Sequence, residues 1–269
     1  MNIHFKDNQL FEALKQASLA DCQFGSVLYK TNDNLSDVDL HYVYSTSVNE
    51  LNSFLKSHHH LQFKEEGRDN IFVSLHTFLH NLIKGDSTVL FEIVHSDSFI
   101  GTPLQFLNDM KHDFNNYAIV RSYLGLARRD VQYYHKKETH RQQIKALGHI
   151  WRGYFFAKSI LDGTFSLINN DFLEIFSQLK QIGETDFKEK KRWLSDGQKL
   201  VTELREELNH KFNNNNLALP KFMSVPNQSK LDKNISDLTK QSVWVDKQET
   251  LSYFDLTLFY DAFENEISY

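Results

Sequence analysis

The chain has 269 residues, 41% of them hydrophobic and 24% charged, enough for a substantial core and for one large domain or two small ones. Its 35 acidic and 30 basic residues leave a formal net charge of -5, so nucleic-acid binding would have to use local patches rather than a whole-molecule field. A single cysteine, Cys22, excludes an internal disulfide framework and a cysteine-based zinc site.

The first residues lack the apolar core of a signal peptide, and no later run approaches the length of a membrane span, so a cytoplasmic location without membrane contact is expected. Residues 8 to 19 carry Leu10, Phe11, Leu14 and Leu19 at near-helical spacing and predict a short amphipathic helix leading to Gly25-Ser26. After the turn residues TNDNLSD, the run VDLHYVY alternates. Val38, Leu40, Tyr42 and Tyr44 share one face of a half-buried strand, with Asp37, Asp39, His41 and Val43 on the other. A helix is predicted over 47 to 57, a second strand over 70 to 75, a helix ending at Gly85, and a third strand over 88 to 94.

From residue 103 the texture becomes helical, with Thr102 as N-cap and Pro103 at the first helical position. Helices are expected to about 211, with breaks near 136 to 139, 162 to 164, 183 to 185 and 213 to 216. A loop is expected over 217 to 247 and a last helix over 248 to 265. This layout predicts an α/β module over 1-102 and a helical module over 103-269.

Two carboxylates at i and i+2 of a strand project to one face a few ångströms apart, which is cheap for two ionised groups when a divalent cation lies between them. Magnesium takes carboxylate oxygens together with substrate phosphates, so Asp37 and Asp39 suit a nucleoside triphosphate. Gly25 lets the backbone approach a phosphate, and Ser26 offers a hydroxyl to it. A bare D-x-D is more often just the polar side of a solvated strand.

The joined pattern G-S-x(10)-D-x-D resembles the signature of the DNA polymerase beta superfamily of nucleotidyltransferases. The run of GSVLYKTNDNLSDVD, DNIFVSLHTF, GDSTVLFEIV and KALGHIWR, in that order over roughly residues 24 to 165, is similar to one branch of it. That branch is the predicted nucleotidyltransferases of the RNA repair pathway DNA polymerase beta family. The family's arginine after Gly-Ser is Val27 here, its following glycine is Lys30, and its Asn-Pro turn is Asp86-Ser87.

The resemblance implies an α+β fold, with a polymerase-beta-like nucleotidyltransferase core of a small mixed sheet with helices and a helical C-terminal domain. It also implies two magnesium or manganese ions, and transfer of a nucleoside monophosphate from a triphosphate such as ATP to a hydroxyl, an RNA or tRNA end being the expected acceptor. Asp37 and Asp39 are the implied metal ligands. Glu92 is the preferred third carboxylate, with Asp69 as the alternative. Gly25, Ser26, Lys30, Ser36, Lys145, His149 and Arg152 are the expected nucleotide-binding residues.

Lys145, His149 and Arg152 fall at i, i+4 and i+7 of a helix predicted over 139 to 162, so all three share one face. Arg128, Arg129, Lys136, Lys137 and Arg141, interleaved with Tyr133 and Tyr134, form a candidate acceptor-binding run. The competing expectations are an inactive binding or antitoxin-like module, and a transferase acting on a protein or a small-molecule hydroxyl. His76 and His80 stand one helical turn apart without a nameable third ligand and are read as ordinary histidines. The triplet at 58 to 60 is read as imidazoles at a helix C-terminus.

Overall fold

The computed structural model describes residues 8–33, 36–45, 60–65, 67–114, 116–214 and 225–241. Four strands, β1 (Ser18–Phe24), β2 (Val38–Tyr44), β3 (His60–Glu65) and β4 (Arg68–Ser74), form one mixed sheet in the order β1-β2-β4-β3. β1 runs antiparallel to β2, β2 parallel to β4, and β3 antiparallel to β4. The fold is α+β.

Helix α1 (Asn8–Gln16) ends earlier than its apolar spacing predicts, because the chain turns at Ala17 and pairs as β1. β2 is a central strand, not the half-buried one its alternation suggests. Tyr42 and Tyr44 pack with Leu14, Leu61, Phe63 and Phe72 on one face, while Val43 packs with Leu19, Val73 and Leu75 on the other. Flanking strands and covered faces leave only the start of β2, around Asp39, open to solvent.

Helix α2 (Leu75–Lys84) is capped by Ser74 and ends, as expected, at Gly85. The run 88 to 94 is a helix and not the expected strand: α3 (Thr88–His95) begins where the Ser87 hydroxyl accepts from the Leu90 amide. It buries Thr88, Leu90, Phe91, Glu92, Ile93 and Val94, and a helix buried on every side shows no 3.6-residue period. A short α4 (Gln105–Asp109) replaces the start of the predicted long helix. There the Thr102 hydroxyl accepts from the Leu104 amide and donates to the Phe99 carbonyl, closing a turn over Pro103.

Helices α5 (Asn116–Tyr133), α6 (His140–Leu161), α7 (Asn170–Lys180) and α8 (Phe187–Asn214) follow, with interruptions near three of the predicted breaks. Thr139 and Gln142 form a capping box that starts α6. α9 (Val225–Leu238) lies where a loop was expected, its Pro226 in the first turn, where a missing amide costs little. Leu231 and Leu238 bring it against the core of the sheet region. The helices predicted over 47 to 57 and 248 to 265 lie outside the described residues, as do His58 and His59, whereas His60 begins β3.

α5 and α6 pack closely. A Cβ at Gly153 would stand 2.8 Å from the Ala127 Cβ and 3.0 Å from the Tyr123 carbonyl oxygen, so a side chain there would push the helices apart. That contact turns the face of Tyr123, Ala127 and Asp130 toward α6. Among the described residues no helix is long and apolar enough to cross a membrane.

Candidate functional site

The strand registers align four residues in one row across the sheet: Phe24 of β1, Asp39 of β2, Asp69 of β4 and Lys64 of β3. In-register neighbours point to the same face about 5 Å apart, so Asp39 and Asp69 stand side by side. Asp37 lies exposed just before β2. Burial, reinforced by the charge of Asp69 and more weakly by that of Asp37, pushes the Asp39 carboxyl up to about 6, against the opposing pull of Lys145 and Lys64.

β1 runs directly into the Gly-Ser turn. Gly25 opens a 3-10 turn, Gly25–Val27, with φ of +74°, and a Cβ on it would lie 2.5 Å from the Asp39 Oδ2. Only glycine fits there, both for its backbone angle and because the Asp39 carboxylate occupies the space. The turn is closed by the Leu28 amide on the Gly25 carbonyl and by the Thr31 amide on that of Ser26, with Lys30 in the left-handed region at φ of +57°.

From α6, Lys145 reaches the neighbourhood of Asp39. One turn further on, the His149 Nδ1 lies 3.2 Å from Oδ2 of Asp130, a residue of α5 that is only 7% exposed. Burial, with the charges of Arg152 and Lys145, holds His149 below the usual imidazole range despite its bond to Asp130. Asp130 is itself held below the usual carboxylate range: burial opposes this, but His149, Arg129 and Lys137 outweigh it. The Arg152 guanidinium stands 4.4 Å over the Tyr29 ring.

Glu92, the preferred third carboxylate, is placed differently from what a strand would have given it. It is fully buried in α3. Its Oε2 accepts from the Tyr29 hydroxyl, and its Oε1 accepts from the Tyr123 hydroxyl at 2.6 Å. Burial and the charge of Glu92 push both phenols well above their usual range, with Arg152 pulling the other way. It is Asp69, the alternative, that stands beside Asp39. The Gln62 amide nitrogen donates to both Asp69 oxygens, at 2.7 and 2.6 Å.

The remaining expected residues scatter. The Ser36 hydroxyl closes a turn with Asp33, donating to its carboxylate and accepting from its amide, each at 2.9 Å. Arg141 stands 3.5 Å from Asp33. Arg129 is 3.9 Å from Asp130, and Arg128 lines a groove between α5 and α8 with Gln198 and Arg205. Lys136 lies over the Tyr133 ring, and the Lys137 carbonyl accepts from Gln143.

Asp130, Tyr29, Gln62 and Lys64 carry no expectation from the sequence. Asp130 alone left a trace: it is the one acid in the run ARRDVQYYHKK, and it falls on the helical face of Tyr123 and Ala127, both buried.

The sequence matches no protein-family model and is similar to no curated protein. Several solved chains resemble it slightly, among them a nucleotidyltransferase-like protein from Exiguobacterium sibiricum 255-15, with 11% identity, a TM-score of 0.35, and coverage of 86% of this chain and 87% of that one.

The donor set can be weighed against a divalent cation on chemical grounds. Among the described residues no group of three or more histidine, cysteine or acidic side chains is arranged to hold a metal. Yet no hydrogen bond reaches the carboxylate of Asp39 or Asp37 among these residues, and Asp39 is raised by burial and then by the charge of Asp69, which a cation beside it would offset. Magnesium is bound through one or two carboxylates plus substrate phosphates rather than in an all-protein cage. The residues therefore fit a cation only if it brings further oxygen ligands of its own.

Proposed function

We propose that the chain is a metal-dependent nucleotidyltransferase that moves a nucleoside monophosphate from a triphosphate to a hydroxyl. The observation that carries this reading is the seat of the Asp39 carboxylate against the bare α-carbon of Gly25, beside Asp69. It joins a phosphate-approaching turn to a carboxylate pair at one point, from segments far apart in sequence.

In this reading Asp37 and Asp39 hold magnesium or manganese, two ions with the substrate in place, and Asp69 completes the acidic floor. Bound metal supplies charge neutralisation and polarisation of the phosphate under attack. The Gly25-Ser26 turn binds phosphate oxygens through its amides and the serine hydroxyl, and Lys145 neutralises charge beside Asp39. Lys30 is exposed at the edge of the turn, and in this reading it meets the outer phosphates.

The acceptor class we favour is an RNA end, a tRNA end included. Tyr133 is 46% exposed with the Lys136 ammonium over one face of its ring, which leaves the opposite face for a base to stack on, with positive charge at hand.

The test is incubation with magnesium or manganese, each α-labelled nucleoside triphosphate in turn, and pooled total RNA and protein. An Asp37→Ala/Asp39→Ala variant serves as control. Label is expected only with the intact protein, in a product sensitive to nuclease. Protease-sensitive label would move the acceptor to protein. Triphosphate binding without label transfer would leave an inactive binding module.

A further inference from the structure

The proposed transfer needs a group to take the proton of the acceptor hydroxyl, and the carboxylates nearest the turn are poorly placed for it. Both Asp69 oxygens accept from Gln62, and both Glu92 oxygens accept from buried tyrosines. Asp37 and Asp39 are assigned to the cation. A basic group free at one atom is found on α6.

His149 is bracketed by two residues already located at the site. Lys145, four residues earlier, lies near Asp39, and Arg152, three residues later, stacks on Tyr29, two residues beyond the Gly25–Val27 turn. At a helical rise of 1.5 Å per residue these anchors are about 6 Å and about 4.5 Å from His149 along the axis. His149 therefore falls between the two anchors on the same face of α6. Its side chain is 39% exposed while that of Asp130 is 9% exposed, so one ring edge is fixed in the protein and another meets solvent.

The tautomer follows from Asp130. An ionised carboxylate only accepts, so the Nδ1 facing it carries the hydrogen and Nε2 carries a lone pair. Nε2 makes no hydrogen bond among the described residues.

We propose that Asp130 is a positioning residue that holds His149 in the Nδ1–H form, so that Nε2 accepts the proton of the acceptor hydroxyl during transfer. This inference rests on the nucleotidyl-transfer reading above. The hydroxyl oxygen bonds the α-phosphorus, and the bond from that phosphorus to the bridging oxygen breaks with its electrons leaving on pyrophosphate. The hydroxyl proton moves to Nε2, and the resulting imidazolium keeps its Nδ1–H on the Asp130 carboxylate. Burial, with Arg152 and Lys145 from α6, disfavours a permanently charged imidazole and keeps the base neutral between turnovers, against the pull of Asp130.

Two measurements on the full chain separate this inference from the reading beneath it. In protein labelled with nitrogen-15 at histidine, with the His149 signals assigned by their loss in His149→Gln, the ring is expected as the Nδ1–H tautomer. Asp130→Asn, whose amide donates toward Nδ1, should shift it to Nε2–H. A His149 found as Nε2–H in the unmodified protein, or unchanged in Asp130→Asn, overturns the positioning role whatever the activity.

In the transfer assay, His149→Gln and Asp130→Asn should each lower the turnover rate by about a hundredfold, with the triphosphate KM within about threefold of the parent. Asp130→Glu should recover most of it. Parent-like turnover in His149→Gln overturns the base role while leaving nucleotidyl transfer intact. No transfer by the parent protein overturns both, and melting curves of each variant exclude loss of fold as the cause.

Discussion

Two carboxylate sites lie on either side of the Gly25–Val27 turn, and they are built on opposite principles. Glu92 is fully buried, with a phenolic hydroxyl on each oxygen and the Arg152 guanidinium stacked on one of those phenols. Asp39 is half-buried beside two further carboxylates, receives no hydrogen bond among the described residues, and is raised to about 6 by burial and then by Asp69. A saturated carboxylate holds structure together. An unsaturated one stores unfavourable charge that a ligand can relieve, and it marks the place where binding is to be sought.

The comparison breaks most visibly at Asp39. Asp39→Asn should abolish transfer, by on the order of a thousandfold, yet make the metal-free protein more stable at neutral pH. The sign follows from the raised carboxyl. Between about 4 and about 6 the unfolded chain has released this proton and the folded chain still holds it, so rising pH favours unfolding through that window. The penalty is absent below it and complete above it, and solvent screening of this half-exposed carboxyl holds it to about 1–2 kcal/mol. Urea melts of parent and variant in a chelator, across pH 4 to 7, should therefore diverge as pH rises. Parallel curves would mean that Asp39 carries no unrelieved charge.

Glu92 should answer in the opposite way. Glu92→Leu strands two buried phenols and the Arg152 charge, and should cost about 4 kcal/mol. Glu92→Gln should cost about half that, since one phenol keeps its acceptor and the other turns to accept from the amide. In Glu92→Gln that is still folded, transfer should fall no more than a few fold. Asp69→Asn should keep its stability and lose transfer by about a hundredfold. A stable, inactive Glu92→Gln beside an active Asp69→Asn would reverse the roles of the two residues.

What the sequence made legible follows the same division. Gly25, Ser26 and Asp39 form a local pattern, and Lys145, His149 and Arg152 share a helical face. Local spacing carries both, and the structure sets Lys145 near Asp39 and Arg152 against Tyr29, beyond the Gly25–Val27 turn. The Asp39–Asp69 neighbourhood is a strand register, fixed by pairing between distant segments and invisible in either alone. TVLFEIV read as a strand because continuous burial removes the helical period. With that helix went the environment of Glu92, whose tyrosine partners come from the turn and from α5. β1 was hidden because SLADCQF prolongs an apolar helix pattern without alternating, and its burial follows no simple period either.

The smallest effect tests the turn shared by both sites. Lys30 occupies the left-handed region, where a side chain costs about 1–2 kcal/mol. Lys30→Gly relieves that strain but gives the unfolded chain more freedom, so the net gain should be about 0.5 kcal/mol, read as a higher urea midpoint at constant slope. Lys30→Ala separates charge from strain, because it removes the ammonium and keeps the Cβ. A raised triphosphate KM in both variants, with stability gained only in the glycine one, would mean that this chain tolerates a strained turn in exchange for a cation at the phosphates. An unchanged KM in both would make the lysine incidental to binding and leave the Gly25 side of the turn, with Lys145, to hold the phosphates.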